Sequence, residues 1–598
     1  DYWLPQFATY RNLPTKRPFA NDNPNYPQKV SSESDTNFAL LNYNLSGTFV
    51  DKWRVIQLNG HADLDIGWGL KAQWLVGYYF AYQQLNNHEY TWKLYGYDEG
   101  TDTYYVTDEM NNPWRERRLG HKEELTSNLR LTFDRRFGAH HVSAICGLDA
   151  SKVRAPSTWV HAQPTANVMK LIYTSTMDTY DDTGNNTEAR LGWIGRLNYD
   201  YADKYLLELS VRRDGAWKWA PGHRWGTFPS VSAGWRISEE AFWKNSKLNN
   251  ILDNLKIRAS YGIVGDDNVE GYNAYDYMSG YNYNTGGTAL GGKYVIGSSA
   301  RGLPATTFTW MKAHFLDIGI DYAFLHDRLT GTLDYFNRKR TGLPDSRYDV
   351  LIPSEAGFSL PKENLNSDLR RGIDGSVTWH DTWSGLQYAT GFNFTYARRY
   401  DWNQYKPRFS NSLDEYRYSG EHRFSDVYWG YQNDGQFQSW EEIANYPIDN
   451  DGYGNKRQRP GDIKYKDLNG DKVINEMDQV PIGYGTGDTP NFSYGFNFAF
   501  QYKGFDLAFD LTGGAGLGFM PRFEQMYPFH DGGNNPQYYL EDCWTLSDIW
   551  DANSELVPGK YPMPLIGNTS HSNYWNSDFW FVNVNYIKLR NFEFGYTF

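Results

Sequence analysis

The stretch 467–478, Asp-Leu-Asn-Gly-Asp-Lys-Val-Ile-Asn-Glu-Met-Asp, carries oxygen ligands at intervals that suit a hard cation. Asp467, Asn469 and Asp471 stand at alternate positions. Val473 follows where a backbone carbonyl serves, and Asp478 closes the set at the twelfth place. A loop so spaced can wrap Ca2+, the one cofactor the chain suggests. Two residues depart from the pattern: Lys472 stands at the sixth position, where such loops carry Gly, and Asp478 stands where they carry Glu, with Glu476 as a substitute. The same residues also read as an acidic loop held by Asx turns with no ion, and the two readings stand level.

Aromatic residues form a second group. "RRDGAWKWAPGHRW" offers Trp217, Trp219 and Trp225; "YNAYDYMSGYNYN" offers Tyr275, Tyr281 and Tyr283. Flat rings stack on sugars or hold peptide side chains with little rotamer cost, so these six are candidate substrate contacts. For any single ring, packing between loops is the stronger reading. Arginine pairs (Arg135-Arg136, Arg212-Arg213, Arg370-Arg371 and Arg398-Arg399) stand near strand ends. They suit lipid phosphates or, the favoured reading, ion pairs with abundant carboxylates.

Catalytic signals are poor. "GGAGLG" at 513–518 follows a strand but opens no helix, so it fails as a nucleotide loop. The 13 histidines show no H-E-x-x-H spacing, and no carboxylate pair can be singled out for glycoside cleavage. Cys146 and Cys543 are far apart in sequence and read as free thiols. The chain is not read as an enzyme.

The elements that must position these residues are strands. In "NFSYGFNFAFQYKGFDLAFDLTGG", Phe492, Tyr494, Phe496, Phe498, Phe500 and Tyr502 alternate with Asn491, Ser493, Gly495, Asn497, Ala499 and Gln501. Past Lys503-Gly504 the alternation resumes with Phe505, Leu507, Phe509 and Leu511. Side chains alternate faces with period two, and so short a turn makes an antiparallel hairpin. The pattern recurs around Ala202–Lys204 and His326–Arg328. About 16 such strands can be drawn, many of nine or more residues, the length a tilted strand needs to cross a bilayer. Short turns at one end and long Gly/Asn/Asp/Tyr loops at the other mark a membrane barrel rather than a soluble sandwich.

Composition agrees. The chain has 598 residues, a net charge of −13 and 17% aromatic residues. That charge argues against nucleic acid as a partner. No run of 18 apolar residues offers a helical span, and no secretory signal opens the sequence.

Several stretches now resemble a known family. "RLNYDYADKYLLELSVRRDG" (196–215), "WGTFPSVSAGWRISEEAFW" (225–243), "LKIRASYGIVGDDNV" (255–269), "YWGYQNDGQFQSWEEI" (428–443), "GDIKYKDLNGDKVINEMDQVPIG" (461–483) and the terminal "YIKLRNFEFGYTF" are similar to the SusC-like (SusC/RagA) TonB-dependent outer-membrane transporters of Bacteroidetes. The resemblance covers most of the chain from about 190 onward. It implies an all-β fold, a transmembrane antiparallel barrel of 22 strands with long extracellular loops and short periplasmic turns. It also implies a plug and an N-terminal TonB-contacting segment, neither of which these residues supply. Residues 1–598 are therefore expected to be the C-terminal part of the barrel, with plug and N-terminal domains outside the chain.

The function implied is energy-dependent import of oligosaccharides or oligopeptides across the outer membrane of a Gram-negative bacterium. Its partners would be a SusD-like surface lipoprotein, TonB with its inner-membrane motor, and outer-membrane lipid. The alternatives are a secreted β-rich glycan-binding or glycan-cleaving protein and a passive porin. At the C-terminus Phe592, Phe594, Tyr596 and Phe598 share one face, which the resemblance implies is the signal read by the membrane-insertion machinery. Ile587 and Leu589 lie in the opposite phase, so a bulge is expected near Arg590-Asn591. If the chain begins partway round a barrel, strand 586–598 is expected to pair with a segment outside it.

Overall fold

A computed structural model describes residues 10–13, 15–30, 37–40, 42–111, 114–172, 175–182, 187–270, 272–406 and 408–598. Fifteen long strands form one antiparallel meander in which each pairs with its sequence neighbours. They are β1 (Gly47–Gly67), β2 (Leu70–Glu89), β3 (Arg115–Phe137), β4 (His140–Arg154), β5 (Thr187–Tyr201), β6 (Tyr205–Ala216), β7 (Trp225–Arg236) and β8 (Leu252–Asp266). The second half comprises β9 (Met311–Phe324), β10 (Leu329–Ser346), β11 (Lys362–Trp383), β12 (Leu386–Asn403), β13 (Phe492–Tyr502), β14 (Phe505–Phe519) and β15 (Val582–Tyr596). Three short strands complete an 18-stranded sheet. Among the described residues β1 pairs only with β2, and β15 only with β14, so the sheet has two open edges.

The turns follow from sequence. Trp68-Gly69, Ser384-Gly385 and Lys503-Gly504 each place two consecutive residues at positive φ. That is the type I′ geometry whose twist matches the flanking strands. A Cβ on Gly504 would stand 2.6 Å from the Thr597 carbonyl oxygen, so glycine is required there for steric reasons as well. All odd-to-even connections lie at this end. One departs from expectation: residues 237–251, between β7 and β8, form short helical turns rather than a tight turn. The even-to-odd connections are longer, reaching 404–491 and 520–581.

Register sorts the faces. One row of directly paired residues crosses nine strands as Tyr199, Leu207, Ala233, Ala259, Ile318, Tyr335, Ile373, Tyr396 and Phe492, with no polar side chain apart from tyrosine hydroxyls. The row one residue along reads Arg258, Gly319, Asp334, Asp374, Thr395 and Ser493. The apolar face is not a core. Leu58 is 61% exposed and Phe594 66%, and the rows between behave alike. An apolar surface running across the whole sheet is far larger than the patches a water-soluble monomer tolerates.

The expected C-terminal bulge is present. Asp510 pairs with Asn591 and Leu511 with Leu589, which leaves Arg590 unpaired. The extra residue resets the phase, so Leu589 and Phe592 share a face despite odd spacing.

The buried apolar residues instead cluster at the long-loop end. One cluster gathers Trp219, Phe228, Val269, Tyr272, Phe308 and Trp310. The other gathers Tyr431, Ile463, Tyr465, Met526, Tyr539 and Trp580 from the loops 404–491 and 520–581.

Candidate functional site

The face opposite the apolar rows is built from paired charges. Arg258 on β8 donates from Nε to Asp321 (3.0 Å), from Nη1 to Asp317 (3.3 Å) and from Nη2 to Asp334 (2.6 Å). Lys256 meets the far oxygen of Asp321 at 3.2 Å. Gly319 lies beneath this cluster, where a Cβ would stand 2.0 Å from Asp334 Oδ1 and 2.7 Å from Arg258 Cζ, so any side chain would part them. Further round, Arg212 bridges Asp149 (3.2 Å) and Asp214 (2.8 Å), and Arg399 meets Asp368 (3.2 Å). Asn497 donates to Asp510 at 2.7 Å and Gln501 to Asp506 at 2.6 Å. Such a wall stays wet and offers donors and acceptors to a polar solute.

The arginine pairs divide because neighbouring strand residues point to opposite faces. Arg136, Arg212 and Arg399 reach carboxylates. Their neighbours reach rings on the apolar side: Arg135 lies 4.3 Å over Trp68, and Arg213 lies 5.8 Å over Trp225. Arg371 does the same over Tyr400 at 5.6 Å. Arg398 forms a two-pronged bond to Asp426 (2.6 and 3.2 Å) from the apolar side.

The six aromatic candidates do not meet in one pocket. Trp219 has no exposed surface; its ring lies 5.0 Å from Tyr272 and 5.5 Å from Phe308, so it is loop core. Burial there pushes the Tyr272 hydroxyl up to about 12. Trp217 is packed against the same cluster, with Arg190 over its ring at 4.6 Å. Trp225 belongs to the apolar face, in phase with Val231 and Trp235, at the loop end of β7. Tyr275 is partly exposed beside Tyr277. Tyr281 and Tyr283 (67% and 81% exposed) project from a hairpin of Tyr281–Leu290 with Lys293–Ala300. Tyr275, Tyr281 and Tyr283 offer their rings on the loops, while the likewise exposed Trp225 lies on the apolar face of the sheet.

The loop 467–478 is closed by its own amides. The Asp467 carboxylate accepts from Gly470 N–H (2.7 Å) and Lys472 N–H (2.8 Å). Asn469 Oδ1 accepts from Asp471 N–H and Asp471 Oδ1 from Val473 N–H, both at 2.9 Å. The Val473 amide, together with the Asn469 side-chain amide that donates to Asp471 Oδ2 at 2.9 Å, holds the Asp471 carboxyl below its ordinary range. Asp478 is fully buried and accepts from Leu468 N–H (2.8 Å) and Asn475 N–H (2.9 Å), completing a capping box. Lys472 adopts φ +68°, the left-handed conformation that the sixth position of a cation loop demands. Among the described residues no three His, Cys, Asp or Glu side chains stand together so as to hold a metal ion.

Sequence reasoning missed the buried polar hub beneath the largest loops. Asn573 Nδ2 donates to Asp462 (2.6 Å), and Asn573 Oδ1 accepts from Ile463 N–H (2.9 Å). Asn450 spans Ile463 O and Tyr465 N–H, while the Tyr465 hydroxyl donates to Ser572 O at 2.6 Å. Its partners lie about a hundred residues apart, and the sole local signal is the apolar Ile463 and Tyr465 within an otherwise polar stretch. Cys146 and Cys543 are both free, as expected.

Known proteins share this architecture. Solved structures of the RagAB peptide importer superpose with a TM-score of 0.66 in the closed-closed state, at 16% identity, over 92% of this chain and 56% of that one. A TonB-dependent receptor of Formosa agariphila is 28% identical over 447 residues, 70% of this chain and 40% of the relative. TonB-dependent receptor SusC of Bacteroides thetaiotaomicron is 26% identical over 416 residues, 68% of this chain and 38% of the relative. Another Formosa agariphila receptor aligns with 99% of this chain, at 23% identity and 55% of its own length. The chain thus spans about half the length, or less, of the curated relatives it matches. The family described as TonB dependent receptor-like, beta-barrel matches residues 2–475, and the chain, with its meander, its exposed apolar rows and its one-ended turns, belongs to that family.

Proposed function

We propose that this chain is the larger part of the wall of an outer-membrane importer whose solute path follows the charged face of the sheet. The observation that carries this reading is the register: apolar rows exposed across successive strands on one face, and a paired-charge network on the other. Lipid favours the first face and water the second. The open edges at β1 and β15, with the chain's share of its relatives' length, support a barrel completed by strands outside these residues. The solute is an oligosaccharide or an oligopeptide. RagAB is a peptide importer, whereas the exposed tyrosines here suit either class. By family analogy a SusD-like lipoprotein and TonB are the partners. No catalytic step belongs to this reading.

The membrane assignment is checked by charge placement. Ile318→Arg, in the middle of the apolar belt, should cost about 2–4 kcal/mol of folding free energy in lipid vesicles, while Ser260→Arg on the opposite face should cost little. Equal costs at the two positions would defeat the assignment. The solute is identified by mass spectrometry of what co-purifies with the intact complex from membranes.

Calcium at 467–478 is a separate proposal, supported by ligand spacing and the left-handed Lys472. Adding Ca2+ should raise the thermal midpoint of the loop body, and Asp467→Ala with Asp471→Ala should abolish that rise. A parent protein indifferent to Ca2+ would remove the site.

A further inference from the structure

On the apolar face, the rows change character abruptly toward the long loops. From Leu329 to Tyr335 the outward residues of β10 are Leu329, Gly331, Leu333 and Tyr335; the next are Asn337, Lys339 and Thr341. Neighbouring strands change at the same level. Leu316 on β9 gives way to His314 and Lys312, and Ile373 on β11 to Arg371. Residues 329–337 extend about 26 Å along the strand, roughly 20 Å along the membrane normal at a 40° tilt. The change therefore falls near the outer limit of an apolar band.

At that level a groove of about 510 Å³ opens between β8, β9 and β10, lined by Tyr261, His314, Leu316, Asn337, Lys339 and Thr341. The Tyr261 hydroxyl and His314 Nδ1 are 3.0 Å apart, and His314 Nε2 lies 3.4 Å from Thr341 Oγ1, which fixes the imidazole in the wall. Lys339 Nζ stands 4.6 Å over the Trp402 ring, and Arg371, cross-strand from Asn337, stands beside Tyr400.

The decisive contrast concerns counter-ions. On the opposite face Arg258, Arg340 and Arg399 each hold a carboxylate. Among the described residues Lys312, Lys339 and Arg371 hold none. Arg371 lies directly across from Arg398, whose own charge is taken up by the two-pronged bond to Asp426, so that Arg371 is the cation of the two left without a carboxylate. Lys312, Lys339 and Arg371, three cations without a paired carboxylate just above an apolar belt, complement a molecule with a negative head and hydrocarbon tails.

We propose that this groove binds the phosphate-bearing headgroup of a membrane lipid, with Lys339 and Arg371 on the phosphate, His314 and Thr341 as further polar contacts, and the acyl chains along Leu316, Ile318 and Tyr335. The proposal rests on the membrane reading above. Arginine and lysine both suit phosphate oxygens, and arginine can engage two at once.

The test uses the full-length protein extracted in detergent and native mass spectrometry. The probes are a bis-phosphorylated glycolipid, lipid A, and its dephosphorylated form. Lys339→Gln with Arg371→Gln should lower retention of the phosphorylated lipid at least tenfold and leave the dephosphorylated form unchanged. Lys339→Arg with Arg371→Lys should keep retention, which separates charge from fold damage. Arg135→Gln, at the opposite end of the same face, should have no effect. Equal retention of the two lipids, or indifference to the double glutamine variant, overturns the site but leaves the membrane reading intact. Displacement by inorganic phosphate at equal molarity assigns the groove to a free anion and overturns the lipid. A protein that stays monomeric without detergent refutes the membrane reading and the site together.

Discussion

Trp219→Ala should open the roof of the β6–β9 loops while sparing the sheet. The indole is fully enclosed by Tyr272, Phe308 and Trp310, so truncation removes its burial and leaves a cavity. Such a deletion costs about 3–5 kcal/mol. At about 1.4 kcal/mol per decade, amides of 216–228 and 267–310 should exchange two to four powers of ten faster. Tyr281→Ala and Tyr283→Ala should each change stability by about 0.5 kcal/mol or less, because those rings are largely in solvent. A solute that uses ring platforms would show the opposite order in binding, strong for Tyr281 and Tyr283 and indirect for Trp219. If Trp219→Ala left exchange unchanged, the tryptophan would not be the keystone described.

Arg258→Ala carries the second large effect. The guanidinium is shared by Asp317, Asp321 and Asp334, with Asp374 directly across from Asp334. Removing it leaves four carboxylates with only Lys256 nearby, a loss of about 2–4 kcal/mol, tempered because the cluster is partly wet. Arg258→Lys should recover only part, since one ammonium cannot fork to three acceptors. Asp334→Asn in the alanine background should restore stability by removing one unpaired charge. Urea titration of the folded protein in vesicles reads all three, and additive effects for Arg258 and Asp334 would show that they are not coupled.

Much of the fold was legible because alternation is local. Phe492 to Tyr502, or Leu316 to Phe324, state their strand and their two faces within one turn's reach, and Lys503-Gly504 states the hairpin. Even the bulge at Arg590 could be read, since Ile587 and Leu589 fall out of phase with Phe592. The sites were less legible. Trp217, Trp219 and Trp225 look alike in sequence, yet one is wedged against a loop cluster, one is sealed within it and one faces outward from β7. Their fates depend on Tyr272, Phe308 and Trp310, which arrive from a loop 50 to 90 residues away. The hub of Asp462, Asn573 and Tyr465 was invisible for the same reason.

The sequence by itself determined the strands, the turns and the existence of an apolar and a polar face, because period-two alternation and left-handed X-Gly turns are properties of adjacent residues. Tertiary structure alone decided which charges are satisfied. Arg258 and Lys339 are both cations at strand positions, but register sets one among three aspartates and the other beside none, and register is fixed only when strands far apart in the chain are paired.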